Sequence, residues 1–410
     1  MPRLEDTTRK PSPLQQLGTW FENRAGGRKA GPFGSELRRE HRGNINISVL
    51  APTVLLVLYG LMVVWSASLS IAEASLPRQI LGVGLGLVAA FAVWRYDVRT
   101  FADMSTALLV ICVVLMLLPK VPGLGYSAKG MTGWIKIPLI GLRFQPSEIA
   151  KIAVILLMAS VTAQFNGKIE TLKDYVRLCG TLLVPFILIL TQPDLGTGLV
   201  ILVAGAAIII CGGAKRSWVL VTIAIMIVGI ALILIESSIE GIPHILKEYQ
   251  MQRLLVFIDP TVDPTGNGYN LQQAKIAVGS GGLFGKGITG ATQAGQGFLP
   301  EAHTDFVFAL LSEEFGFLGS VLLLALFAWL IFGTISQAMH TDSPFLKLVL
   351  VGVVAMWTFQ ILENIGMCIG LMPITGIPLP FISFGSSSMI TQLMCVGLVQ
   401  SAWHHRQKAS

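Results

Sequence analysis

The sequence predicts an all-α polytopic membrane protein of about ten transmembrane helices, with one large extracytoplasmic loop between helices 7 and 8. Three observations carry that class. Apolar residues fill 53% of the 410 positions and charged residues only 13%. Mean hydropathy is +0.69, more apolar surface than a soluble core can use. Apolar runs near the roughly 20 residues of a spanning helix recur at about 46–66, 78–95, 103–120, 145–164, 177–192, 195–212, 217–236, 305–333, 346–370 and 382–403. The third observation is a charge asymmetry. An even number of spans puts both termini on one side, and 19 of the 29 Lys and Arg residues fall there. Nine fall on the opposite side, and Lys151 lies within a helix. The positive-inside rule makes the termini cytoplasmic and the long loop extracytoplasmic.

Residues 1–45 form a basic, Pro- and Gly-containing tail without apolar residues for a core, and disorder is expected. Arg24, Arg28, Lys29, Arg38, Arg39 and Arg42 suit an anionic lipid surface. The first apolar run starts too late for a cleavable signal peptide and is expected to stay as an anchor. The membrane domain spans 46–405, and 406–410 is a short cytoplasmic tail. The net charge of +6 is mostly this cytoplasmic bias and needs no nucleic acid. Cys112, Cys179, Cys211, Cys368 and Cys395 all sit in apolar segments without metal-ligand spacing, so they read as small buried hydrophobes.

In the second helix, Gly82, Gly84 and Gly86 suit close helix packing better than ligand binding. The first sizeable outer loop, 121–144, holds Gly133-Trp134 and Lys136, and ends at Arg143-Phe144-Gln145-Pro146-Ser147-Glu148. Pro146 suits the first turn of a helix, which puts Glu148 and Lys151 one turn apart on one face. The two could neutralise each other, or face a polar cavity and hold a substrate group. At the tight turn Gln192-Pro193-Asp194-Leu195-Gly196-Thr197-Gly198, Asp194 could satisfy turn amides, cap the next helix or serve a substrate.

The outer loop at about 238–304 is too long to be a mere connection. It carries Arg253, a short helix predicted over Asn270–Val278 and stopped by Gly279, and a glycine-rich stretch to Gly290. Gly285-Lys286-Gly287 is no phosphate loop, because Ser280 stands where that pattern needs Gly and Gly287 where it needs Ser or Thr. No nucleotide is therefore expected, and a substrate reacting outside must arrive already activated. The loop closes on Pro300-Glu301-Ala302-His303-Thr304-Asp305-Phe306. Asp305 stands where a polar loop enters the membrane. It could cap the helix starting at Phe306, or be kept at that cost for function. Further along come Glu313, placed two turns on and near the same face as Thr304–Phe306, then Glu314, Glu363 and Asn364, and a proline-rich segment, 370–381, before the last helix. Irregular backbone at that depth must be buried or line a cavity.

The acids Glu148, Asp194, Asp305 and Glu363 gather toward the outer leaflet, with Lys151, Arg253, Lys275 and Lys286 as cationic partners. Such a set suits an anionic, lipid-attached substrate, with cations on a diphosphate and a carboxylate as general base toward a hydroxyl. It equally suits an ion-coupled transporter.

Several separated motifs narrow that choice. Gln145-Pro146-Ser147-Glu148, Gln192-Pro193-Asp194-Leu195-Gly196-Thr197, Pro300-Glu301-Ala302-His303-Thr304-Asp305-Phe306 and Pro378-Leu379-Pro380-Phe381-Ile382-Ser383-Phe384-Gly385 occur in this order on a ten-helix hydropathy. With them the chain, over about 45–405, resembles the shape, elongation, division and sporulation (SEDS) family of bacterial cell-wall polymerases. Asn267-Gly268-Tyr269-Asn270, Gln273–Leu283 and Glu363-Asn364-Ile365-Gly366-Met367 are more similar to its elongation branch, RodA, than to the division branch, FtsW. The resemblance implies a multi-pass protein of the bacterial cytoplasmic (inner) membrane that polymerises lipid II. It implies a class B penicillin-binding protein and elongation-complex membrane proteins as partners, and undecaprenyl diphosphate-linked glycan as the growing chain. It assigns the essential acid to Asp305, and it maps Glu148, Lys151 and Trp134 onto the family's Glu, Lys and outer-loop Trp. Gly133 replaces a frequent Arg, so a phosphate contact is either missing or supplied by Lys136 or Arg143. Phe384 and Ser386 replace a Tyr and a Gly of the last motif.

The expected reaction is inverting transfer with Asp305 as base. Arg253, Lys275 and Lys151 hold diphosphate charge, and His303 is more structural than basic. A divalent cation, Mg or Mn, could share the charge, with Asp305 and Glu148 as candidate ligands. A lipid II flippase would use the same cavity without bond formation.

Overall fold

The computed structural model describes residues 45–122, 124–128, 131–137, 142–192, 194–237, 255–257, 259–288, 290–293 and 295–405. The chain divides into Met1–Asn44 and Ile45–Ser410. The basic tail, the end of the chain from 406 and Arg253 lie outside the described residues. So do the side chains of Lys136 and Arg143.

Helices run over each of the apolar stretches: α1 (Ile47–Ser70), α2 (Leu76–Arg95), α3 (Ser105–Leu117), α4 (Pro146–Ala163), α5 (Leu172–Leu190), α6 (Leu195–Cys211), α7 (Arg216–Ser237), then α8 (Asn267–Ser280) in the long loop, and α9 (Val307–Met339), α10 (Pro344–Ile369) and α11 (Ser386–His405). Among the described residues, α1, α2, α4, α9 and α10 are long and apolar enough to cross a membrane. Local chemistry sets several starts. The Asn46 side chain accepts from Ser48 N at 3.1 Å. Pro146 and Pro344 occupy first turns, where no amide hydrogen is needed. α10 stops at Gly370, whose φ of 78° closes the last turn.

The core centres on α4. In its apolar window 89% of the residues are buried, against 22% for α2, so α4 is enclosed by other helices while α2 lies at the edge. α2 is held by α11. A Cβ on Gly82 would lie 2.9 Å from Ser386 Cα, and one on Gly86 would lie 2.6 Å from Leu393 Cδ1. The expected small-residue packing therefore belongs to Gly82 and Gly86; Gly84 has nothing within 4 Å. This contact sets the start of α11 beside Gln79, which matters at the site below.

The all-α expectation needs correction in the first outer loop. Gly125–Ala128 (β1), Met131–Ile137 (β2) and Leu142–Phe144 (β3) form an antiparallel sheet in the order β1-β2-β3. Thr132, Trp134, Ile135 and Ile137 are strand formers, and pairing Trp134 with Tyr126 and Ile135 with Phe144 satisfies a backbone that no helix continues. The eighth apolar stretch also differs, because α9 is broken at Gly316, whose φ of 66° and ψ of −162° are non-helical. The loop helix starts at Asn267, earlier than Asn270, because the Asp263 carboxylate accepts from Gly266 N at 3.0 Å and Asn267 N at 2.7 Å. The last helix starts at Ser386, later than 382, because Ser383 is used in a turn: its hydroxyl accepts from Leu379 N at 2.8 Å. The cysteines are free. Cys112, Cys368 and Cys395 are buried as expected, but Cys179 is half-buried and Cys211 is exposed at its helix end.

Candidate active site

Asp305 sits on a backbone clamped from the carbonyl side. Three successive carbonyls accept hydrogen bonds: His303 O from Phe384 N at 2.9 Å, Thr304 O from Ser383 Oγ at 2.7 Å, and Asp305 O from Asn364 Nδ2 at 2.8 Å. Asn364 also donates to Ile377 O at 2.8 Å, tying α10 to both the acid's segment and the proline-rich segment. From the amide side, Thr304 N, Asp305 N and Phe306 N all donate to Glu301 O at 3.1–3.2 Å. Glu301 itself adopts a φ of 54° to make that turn. Asp305 is half-buried. Its Oδ2 faces Gly376, where a Cβ would approach to 3.2 Å and where φ is 74°. Gly376 thus gives the carboxylate room that a side chain would fill, in a conformation that L-residues rarely adopt.

Phe306 holds the N-cap position of α9 and its own side chain makes no cap bond, so Asp305 stands one residue before the cap position. Asp194, by contrast, is a cap: it stands at the N-cap of α6 and its Oδ1 accepts from Thr197 N at 3.0 Å. Its Oδ2 accepts from Gln145 Nε2 at 3.0 Å. Gln145 N in turn donates to Ser387 Oγ at 3.1 Å. Two residues past the cap the chain meets the acid's surroundings: a Cβ on Gly196 would lie 2.9 Å from Ile377 Cγ1 and 3.2 Å from Thr375 O. Thr375 Oγ1 donates to Glu363 Oε1 at 2.6 Å. The segment 375–377 therefore touches the surroundings of Asp194, Glu363 and Asp305 together.

Glu148 and Lys151 form a buried ion pair at 2.8 Å, with side-chain exposures of 5% and 2%. The pair lies on α4 below the Gln145–Ser387 contact. Burying both charges costs desolvation that their attraction offsets, and removing one partner would leave an uncompensated charge. Lys275, on α8, is exposed, and its side chain lies against the Gly370 backbone where α10 ends. Trp134 is half-buried on β2; it is the neighbouring Gly133 that faces the outer turn, with Gln192 Oε1 3.7 Å from a Cβ placed there, and Trp134 points to the other face of the strand. His303 is buried, and its ring stacks at 5.5 Å, tilted, on Phe384. Packing of this kind fits the structural role expected of it.

Two charged residues stand elsewhere than expected. Lys286 is not a free cation for a phosphate, because it pairs with Glu313 at 2.7 Å. Glu313 is fully buried and turned toward residues 286–293 of the loop. Three residues hold the site in roles that the sequence did not assign them. Asn364 and Gly376 are described above. Gln79 is completely buried and bridges α2 to the turn before α11, donating to Ser383 O at 3.3 Å and accepting from Gly385 N at 3.1 Å. Only a polar side chain inside an apolar helix could have flagged Gln79 and Asn364.

Among the described residues no group of three or more His, Cys, Asp or Glu gathers into a ligand set, and Glu148, one of the two candidate cation ligands, is paired with Lys151.

Comparison with known proteins agrees with this architecture. Residues 47–408 match the model of the FtsW/RodA/SpoVE family, described as "Cell cycle protein". The peptidoglycan glycosyltransferase MrdB of Escherichia coli is 35% identical over 369 residues, covering 88% of this chain and 95% of that one. A chain from a structure of a peptidoglycan synthase complex, described as coordinating polymerization and crosslinking, superposes with a TM-score of 0.74 at 29% identity, over 88% of this chain and 98% of that one. The rod shape determining protein RodA of Thermus thermophilus superposes with a TM-score of 0.62 at 26% identity, with the same coverage.

Proposed function

The chain belongs to the FtsW/RodA/SpoVE family and is a membrane-bound peptidoglycan glycosyltransferase, and from that premise we propose how it works. It polymerises lipid II at the outer face of the bacterial cytoplasmic membrane, with Asp305 as general base and with cell elongation as its setting. Ten helices span the membrane, both termini are cytoplasmic, and the loop at 238–304 is extracytoplasmic. The growing glycan on undecaprenyl diphosphate is the donor. Lipid II is the acceptor through its GlcNAc 4-hydroxyl. Asp305 takes the hydroxyl proton as that oxygen attacks C1 of the donor MurNAc. The C1–O bond to the diphosphate breaks, the diphosphate leaves with the electron pair, and the configuration at C1 inverts.

The observation that carries this reading is the clamp on Asp305. A carboxylate at the membrane boundary with every neighbouring carbonyl tied down is held for a task rather than for its own solvation. A positioned base is worth about 10²–10⁴ in rate. Lys275 and Arg253 are assigned to diphosphate charge, Trp134 to a sugar or lipid face, and Asp194, Glu148 and the Lys151 paired with it to holding the surrounding wall. The elongation role rests on the loop residues 267–283 and on the likeness to MrdB and RodA. A class B penicillin-binding protein and elongation-complex membrane proteins are its partners. The likeness to a synthase that couples polymerization to crosslinking supports the first of these.

The test is conversion of fluorescent lipid II to polymer on a gel by the purified protein with its penicillin-binding partner. A moenomycin control excludes contaminating transferases. Polymer is the expected result. Movement of lipid II across liposomes without polymer would make the protein a flippase instead.

A further inference from the structure

The break in α9 is filled by the loop that leads to Asp305. Across Gly316 the helix loses its own ladder, and residues 282–287 replace it. Lys286 N donates to Glu313 O at 2.9 Å and Gly287 N to Glu314 O at 3.0 Å, while Phe317 N and Leu318 N donate to Gly282 O and Leu283 O at 2.9 and 3.1 Å. Both broken ends are satisfied by one inserted segment, as buried backbone requires. Gly285 and Gly316 meet back to back there, leaving no room for a side chain on either.

Glu313 is the side chain that gathers the rest. Its Oε1 accepts from Lys286 Nζ at 2.7 Å, Thr292 N at 2.8 Å, Thr292 Oγ1 at 2.9 Å and Gln293 N at 3.1 Å, and its Oε2 also accepts from Gln293 N at 3.1 Å. Lys286 Nζ reaches Ser280 Oγ and Thr292 Oγ1 as well, at 2.8 and 2.9 Å. From Gln293 the bonds continue toward the acid: Leu299 N donates to Gln293 O at 2.9 Å, and two residues on, Glu301 O accepts from Asp305 N at 3.1 Å. On the same side of the break, next to Glu313, the Glu314 carboxylate is bonded by the Ser66 hydroxyl, which lies 3.2 Å from Ile288 O and fastens the same loop to α1.

We propose that Glu313, partnered by Lys286, is a positioning residue for Asp305: it clasps the returning loop to α9, so the acid is anchored to that helix from both sides. The proposal rests on the reading of Asp305 as the base. Glu313 touches no reacting atom. It acts through Thr292, Gln293 and Leu299, and its charge is what binds four donors to one oxygen, since charge-assisted hydrogen bonds are about twice as strong as neutral ones.

The experiment uses the full-length protein with its penicillin-binding partner. In Glu313→Gln, amide exchange at 292, 293, 299 and 305 should accelerate about tenfold or more while α4 and α10 keep their protection. Turnover of lipid II should fall about tenfold or more with KM changed by less than about threefold, the pattern of a misplaced base rather than lost binding. A second variant covers the case in which Glu313→Gln does not fold. Lys286 N donates to Glu313 O at 2.9 Å, so the two backbones are in direct contact and a disulfide is engineered there, its formation confirmed by thiol titration before activity is read. The double variant Lys286→Cys, Glu313→Cys should therefore be slow when reduced and regain activity when oxidised, with wild type carried through the same oxidant and reductant. Unchanged exchange and turnover in Glu313→Gln, or an oxidised double variant no faster than the reduced one, would overturn the proposal. If wild type polymerises nothing, the glycosyltransferase reading falls, and the exchange comparison still decides the clasp.

Discussion

On its carbonyl side, Asp305 is held by residues that carry no charge. Asn364 spans two chain segments with one amide nitrogen, giving hydrogen bonds to Asp305 O and Ile377 O. It is completely buried, so removing it strands two carbonyls in a dry place at about 1–3 kcal/mol for each unsatisfied group. Asn364→Leu should therefore lower the melting temperature measurably and slow polymerisation with little change in lipid II affinity. A variant as stable and as fast as wild type would mean that the amide bridge holds nothing. Asp305 itself was legible in the sequence because a carboxylate at a membrane boundary is costly and therefore noticeable. Asn364, Gln79 and Gly376 were not. A neutral residue shows its purpose only through what it touches, and those contacts join positions up to 306 residues apart.

At the scale of elements, the helices followed from apolar run length, since that is what sets a spanning helix. The sheet of β1–β3 did not, because seven residues of Met131–Ile137 among glycines read as a loop until a partner strand is known. The break in α9 was hidden for a related reason. Gly316 lies within the stretch 305–333 that hydropathy reads as one span, and only the loop segment 282–287 that replaces its ladder gives the interruption a cause. The α2–α11 seam offers a clean test of packing. Gly86→Val should destabilise the protein and disturb the start of α11, because the new side chain meets Leu393 and Ile390; overpacking of this kind costs about 1–3 kcal/mol. Gly84→Ala, with open space before it, should melt as wild type does. Equal melting temperatures for the two variants would remove the seam from the account of how Gln79 reaches the site.

For the whole molecule, the Lys and Arg asymmetry and the placement of Asp305 make one claim about sidedness. On the proposed topology the loop from α8 to Asp305 faces outward, and the ends of the chain face the cytoplasm. A single cysteine at Gly297, which is exposed, should react with a membrane-impermeant maleimide on intact cells. One at Lys408 should react only after the membrane is opened. Both belong in a background without Cys179 and Cys211, the two cysteines that are not buried. Reversed labelling would put the chemistry on the wrong face for a substrate that arrives already activated.

The account turns on Asp305 acting as a base within a scaffold that does not depend on its charge. Single-turnover polymerisation by Asp305→Asn, measured beside its melting temperature and its affinity for lipid II, addresses that directly. The prediction is a rate lower by about 10²–10⁴, with melting and affinity close to wild type. A rate within about tenfold of wild type in a folded, lipid II-binding variant would contradict the role, and Asp305 would then be a structural residue of the loop.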